Sequence, residues 1–271
     1  MLYLDKEKGE LLMIITIANF KGGVGKTTTT LLFSYLLSER NKKVLAVDTD
    51  PQRNFTDSLL NTFKTEIDTS KNIYQACFGK TGARDNIQTI NSNLDILSGT
   101  WDMVNFELAA KDLYTESAFP FILSNTLEEI INDYDYILID TAPTTNLVMK
   151  NTIIATDYVL IATQTVPLAF ESTKRFYEYL EQINTVNDDF ELLGILPYLV
   201  GKSSTDNRFL DKYTDFFGED LFENIIKSSD RVKTWSDEGI TTDKPYDKKT
   251  LAMYENVLNE ALNKIQITIG E

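Results

Sequence analysis

Ile14 to Thr30 reads IITIANFKGGVGKTTTT, and the order of residue types in it decides the fold. A β-rich apolar run ends in a turn holding Gly22, Gly23 and Gly25, and the chain then enters LLFSYLLSER, whose apolar residues recur at helical spacing. Glycines remove side chains where backbone must approach an anion, and the N–H groups of the turn and helix start converge on it. In such a turn Lys26 can reach the β- and γ-phosphates of a nucleotide and the Thr27 hydroxyl can ligate Mg2+. A bare glycine turn between strand and helix is the alternative, and it gives the Lys-Thr pair no task. The common spacing G-x-x-x-x-G-K-[ST] would put a glycine at position 20, where this chain has Phe20 followed by Lys21.

Outward from that segment, short apolar runs alternate with helical-period stretches. The sequence predicts strands at Met13–Ala18, Val44–Asp48, Leu94–Leu97, Tyr136–Asp140, Tyr158–Ala162, Leu192–Leu196 and Leu221–Ile226. It predicts helices at Thr27–Arg40, Trp101–Lys111, Phe121–Asn132, Asn146–Ala155, Ser172–Thr185, Asn207–Phe217 and Leu251–Ile265, and assigns little to Asn61–Asn93. This rhythm is that of an α/β fold, a mostly parallel twisted sheet covered by helices on both faces. No repeat or Pro/Gly/Ser-rich linker divides the 271 residues, so one domain, 1–271, is expected.

Composition narrows the chemistry. There is one cysteine, Cys77, and no histidine, which removes disulfides within the chain, Cys/His zinc sites and His-dependent triads. With 26 Lys plus Arg against 41 Asp plus Glu the formal charge is -15, so any polyanion contact must be a local patch. Asp102 to Asp135 is itself acidic, with eight Asp or Glu against Lys111, as a solvated outer face would be. No apolar run approaches the roughly 18 residues of a membrane span, and the start, MLYLDKEKGELL, lacks a targeting pattern. A cytoplasmic protein is expected.

KGGVGKTTT, Lys21 to Thr29, resembles the deviant P-loop of the ParA/MinD family of ATPases, and further motifs follow in that family's order. VDTDPQ, Val47 to Gln52, is similar to its second acidic motif, LIDTAP, Leu138 to Pro143, to its Walker B strand, and TQTVPLAFES, Thr163 to Ser172, to the stretch after its fifth strand. The resemblance implies a P-loop NTPase fold and a Mg2+-dependent ATP hydrolase. ATP would be held by Lys21, Gly22, Gly23, Val24, Gly25, Lys26, Thr27 and Thr28, with Mg2+ at Thr27, Asp48 and Asp140. Asp50 would orient the attacking water, and Lys21 would cross a dimer interface to the partner subunit's nucleotide, beside Lys26 as a catalytic group. The residues support the carboxylate roles independently: Asp48, Asp50 and Asp140 end or follow apolar strands, at the sheet edge where open α/β sheets bind ligands. An aspartate there can also serve as a plain helix cap.

Within the family, cluster carriers need shared cysteines and MinD-like membrane ATPases need a basic amphipathic C-terminal helix. Here Leu251, Tyr254, Leu258, Leu262 and Ile265 form a stripe whose polar neighbours include Glu255 and Glu260, with Lys264 the lone base, which suits packing on the sheet. The resemblance is thus closest to ParA (Soj)-type partition ATPases without an N-terminal helix-turn-helix domain. Such proteins act in plasmid or chromosome partition as an ATP-dependent homodimer, nucleoid-associated through non-specific double-stranded DNA, and are stimulated by a centromere-binding ParB-like partner. The alternative is a relative that positions a non-DNA cargo or acts at the membrane. The DNA candidates are Lys227, Arg231 and Lys233, in a segment that is otherwise a mixed-charge surface loop.

Overall fold

The computed structural model describes residues 12–187 and 189–270, so the reading of the first eleven residues lies outside it. In chain order the elements are β1 Met13–Ala18, α1 Lys26–Glu39, β2 Val44–Asp48, α2 Asn54–Phe63, α3 Ile73–Phe78, α4 Ala83–Asn86, β3 Gln88–Asn91 and β4 Leu94–Leu97. They continue with α5 Phe106–Leu113, α6 Ile122–Glu128, β5 Tyr136–Asp140, α7 Leu147–Ile154, β6 Tyr158–Thr163, α8 Pro167–Asn184, β7 Glu191–Val200, α9 Ser204–Phe217, β8 Ile226–Lys227, α10 Asp230–Glu238 and α11 Pro245–Gly270. The strands make one sheet in the order β3-β4-β2-β5-β1-β6-β7-β8, parallel throughout except for the antiparallel β3–β4 edge.

The sheet is central because its strands are apolar on both faces: every residue of β1 and β6 is buried. A parallel sheet of that kind needs helices on each side. One face carries a core of β-strand side chains with Leu31, Leu32 and Phe33 of α1, Phe55 and Leu59 of α2, Trp235 of α10 and Tyr254 and Leu258 of α11. The other is packed by Phe106 of α5, Leu123 of α6 and Val148 of α7, and further along by Phe176 of α8 and Tyr213 of α9. Each fully buried Leu or Ile stabilises by about 1.5–3 kcal/mol relative to an exposed one. The α11 stripe is part of this core, with Tyr254, Leu258 and Ile265 at 0% exposure. No helix of the described residues is long and apolar enough to cross a membrane.

The departures from expectation have local causes. α8 starts at Pro167 rather than Ser172, because proline at the first helical position loses no hydrogen bond there. Asn61–Asn93 holds the end of α2, then α3, α4 and β3, short elements whose periodicity is too brief to read. The expected Leu221–Ile226 strand contracts to Ile226–Lys227, with Leu221 keeping one bridge to Ile195. Trp101–Asn105 is a 3-10 turn that leads into α5.

Candidate functional site

The P-loop is built by β1 ending beside β5 and β6. Gly23 and Gly25 adopt φ of 76° and 96°, in the left-handed region open to glycine. Gly25 is required twice over, since a Cβ there would also collide with the Tyr198 ring. Gly25 caps α1 without a side-chain hydrogen bond, which leaves first-turn N–H groups to face an anion. Val24 is buried and Gly22 exposed at the turn.

Phe20 leaves the loop: its ring packs against Phe176 at 4.8 Å and Tyr179 at 5.2 Å, anchoring the turn to α8. Asn19, which sequence reasoning passed over, is fully buried and uses its whole amide. Its Nδ2 donates to the Ala162 carbonyl (2.9 Å) and to Thr173 Oγ1 (3.1 Å), while Oδ1 accepts from the Lys21 N–H (3.0 Å) and the Ser172 hydroxyl (2.8 Å). Gln164 Nε2 holds the Gly23 carbonyl at 3.0 Å. The loop is thereby pinned by β6 and α8 before any ligand arrives. The signal for Asn19 was a polar residue ending an apolar strand directly ahead of the glycines.

Lys26 is buried, and its Nζ donates to the Lys21 carbonyl at 3.1 Å. Burial pushes its pKa down, against the pull of Asp140 and Asp50. The Lys21 side chain is at the rim, with Nζ 3.4 Å from the Gly22 carbonyl. Asp48 and Asp140 are register partners on β2 and β5. Thr27 Oγ1 donates to Asp140 Oδ2 at 2.8 Å, while Asp140 Oδ1 is buried with no hydrogen-bond partner. A hydroxyl beside an orphaned carboxylate oxygen is an all-oxygen donor set, and it fits a hard divalent cation such as Mg2+. Asp48 is differently placed: Oδ2 accepts from the Thr56 N–H (3.0 Å) and hydroxyl (2.7 Å), and Oδ1 from the Asp50 N–H (3.1 Å). It ties α2 to the sheet edge, and any role toward a metal runs through that arrangement. Asp50 sits in the turn that follows, Oδ1 accepting from the Gln52 N–H at 2.9 Å.

Burial, and for Asp140 the neighbouring Asp48, raise both carboxyls, Asp48 to about 6 and Asp140 to about 8. The folded state thus binds the Asp140 proton more tightly than the unfolded chain. The resulting cost to stability is absent below the unfolded carboxyl pKa near 4, grows as pH rises, and is complete above about 8. Asp140→Asn is therefore expected to raise the melting temperature of the nucleotide-free protein, by about 5 °C at pH 8.5 and by clearly less at pH 5.5. Thermal melts at the two pH values check it; an equal gain at both would remove the ionisation argument.

From Thr28 a cleft of about 670 Å³ runs along Tyr198 and Leu199 to Val232 and Lys233 on α10. The Tyr198 hydroxyl reaches Thr28 Oγ1 at 3.3 Å, and Leu199 holds φ of 53° at the strand end that lines the cleft. Of the three basic candidates, Lys227 is exposed and Lys233 lies at the cleft, 4.0 Å from Asp230. Arg231 has an internal task. Its Nε donates to Asp247 at 2.6 Å, Nη2 donates to Thr241 at 3.1 Å, and its guanidinium lies 4.7 Å from the Tyr246 ring centre. Asp247 is fully buried, so Arg231, itself 21% exposed, locks α10 to α11 through this pair.

The AAA domain family matches residues 12–192. The uncharacterized Methanocaldococcus jannaschii protein MJECL24 is 30% identical, over 79% of this chain and 82% of its own length. The sporulation initiation inhibitor protein Soj of Bacillus subtilis is 28% identical, over 81% of this chain and 85% of its own. Among solved structures, a Borrelia burgdorferi B31 plasmid partition candidate bound to AMPPNP is 28% identical and superposes with a TM-score of 0.79, over 93% of this chain and 99% of that one.

Proposed function

Because the chain belongs to the ParA/MinD family of P-loop ATPases, we propose that it is a single-domain, Mg2+-dependent partition ATPase whose ATP-bound dimer binds DNA without sequence preference. A centromere-binding partner then stimulates its hydrolysis. The observation that carries this reading is the P-loop with two lysines: Lys26 buried beneath the turn, Lys21 at its rim, and the Thr27–Asp140 pair beside them. Phosphoryl transfer to water needs neutralised phosphates, a metal and an oriented water, with no covalent intermediate. Lys26 and the α1 N–H groups would neutralise, Thr27 and Asp140 would hold Mg2+, which supplies charge for the leaving phosphate, and Asp50 would orient the water. The cleft past Thr28 would take the adenosine. Lys21, half-buried at the rim, would reach a second protomer's phosphates, which makes nucleotide part of the interface. The similarity to the AMPPNP-bound Borrelia plasmid partition candidate supports ATP as the ligand and partition as the process.

The DNA reading needs a local cluster of bases in a chain of charge -15, and with Arg231 paired to Asp247 the exposed Lys227 is its first candidate. Gel retardation of unrelated duplexes is expected only with ATP and at low salt. Lys227→Glu should lower the slope of log affinity against log salt by about 1 per protomer contact, at unchanged ATP turnover. Arg231→Ala should instead lower the melting temperature, since it strands the buried Asp247 carboxylate. Retardation independent of ATP, or none at any salt, would favour positioning of a non-DNA cargo.

A further inference from the structure

The acidic stretch that composition leaves as an ordinary solvated face is also where the exposed apolar surface concentrates. Of eleven large apolar side chains exposed among the described residues, five lie between 101 and 114. Trp101 (62% exposed), Val104 (51%) and Leu108 (62%) follow at spacings of three and four, so they share one face. Met103, Phe106 and Ala110 occupy the opposite face and are buried in the core. Scattered exposed leucines need no explanation, but a contiguous stripe with tryptophan at its head does. Between the apolar residues stand exposed Asp102, Glu107, Asp112 and Glu116, and the one base, Lys111, is 3.4 Å from Glu107.

The structure assigns this stripe as the docking surface for a basic amphipathic helix of a partner protein, with apolar anchors at helical spacing and Lys or Arg at its edges. Charge selects that occupant. Two copies of this face would set carboxylates against carboxylates, and a duplex or an anionic membrane is repelled by the same groups. A cationic helix satisfies the carboxylates while its apolar side covers the stripe. The place matters as well. Trp101 stands two residues past Gly99, whose N–H donates to Thr56 Oγ1 at 3.0 Å, and that hydroxyl donates to Asp48 at 2.7 Å. A partner seated there is two hydrogen bonds from the nucleotide carboxylates. The inference rests on the partner-stimulated reading above and gives that partner a site and a chemistry.

Tryptophan fluorescence tests it on the full chain. Only Trp101 and Trp235 are present, and Trp235 is fully buried, so a change in emission on docking reports Trp101. The probe is a Leu–Lys peptide of about 18 residues with leucines at helical spacing, long enough to be helical once bound. A Leu–Glu peptide of the same pattern is the control. The expected result is a saturable blue shift with Leu–Lys and none with Leu–Glu. Leu108→Asp should raise the apparent Kd about tenfold or more, while Leu168→Asp, at an exposed position of α8, leaves it unchanged. Equal binding by Leu108→Asp, an equal shift with Leu–Glu, or a concentration-dependent blue shift without peptide that Leu108→Asp removes would overturn the assignment. Phosphate release measured alongside separates the two readings. ATP turnover without docking leaves the ATPase standing and removes this surface; docking without turnover does the reverse.

Discussion

Lys26→Ala is expected to leave no measurable ATP binding. The Lys26 ammonium is buried beneath the P-loop, where its Nζ already spans the turn to the Lys21 carbonyl at 3.1 Å. It is therefore held ready for the phosphates in a site with little water to screen it, where a single charged contact counts for far more than at a surface. Burial depresses its pKa and so disfavours the charged form, whereas phosphate oxygens brought to it favour that form, a gain that only the liganded state realises. Removing the cation also takes away a positive charge that acts on both Asp140 and Asp50, beside which the triphosphate must be held. A loss of roughly 100-fold or more in affinity follows. Calorimetric titration with Mg2+ and ATP should show no saturable heat, with a thermal melt confirming that the protein stays folded. Wild-type affinity in the variant would end the P-loop assignment.

Asp50→Ala should do the opposite to binding and as much to turnover. The Asp50 carboxylate is held in its turn by the Gln52 N–H at 2.9 Å and does not support the fold around Asp48, which Thr56 secures with two bonds. Truncation therefore spares the architecture. A group that positions water matters only in the chemical step, so ATP affinity and dimerisation should persist while hydrolysis falls about 100-fold or more. Lys21→Ala is expected to weaken dimerisation and hydrolysis together, because in the proposed dimer its contact would be made across protomers. Sedimentation with ATP beside phosphate-release rates distinguishes the two variants. An Asp50→Ala protein hydrolysing at the parental rate would take Asp50 out of the mechanism.

Much of the site was legible because its residues are neighbours in the chain. Gly23, Gly25, Lys26 and Thr27 act through backbone geometry and short-range reach, and a strand, turn and helix in series leave few arrangements for them. Asp48 and Asp140 were legible as ends of apolar strands. α2 was not, because its start follows Arg53, which takes φ of 49° and offers no capping side chain. Its first turn is fastened instead by Asp48, eight residues before Thr56. The antiparallel β3 edge, four half-exposed residues long, carried too little pattern to be read.

The sequence by itself determined the parallel α/β sheet, the P-loop and the carboxylates gathered at the sheet edge, since periodicity and motif spacing are properties of adjacent residues. Only the tertiary structure decided what the side chains spend their hydrogen bonds on. Asn19 reaches Thr173 and Ser172 across more than 150 positions, Arg231 pairs with the buried Asp247, and Trp101, Val104 and Leu108 are left outside while Phe106 goes in. These are choices between partners far apart in the chain. A buried polar group takes whichever partner folding brings within about 3 Å of it, and no local pattern encodes that distance.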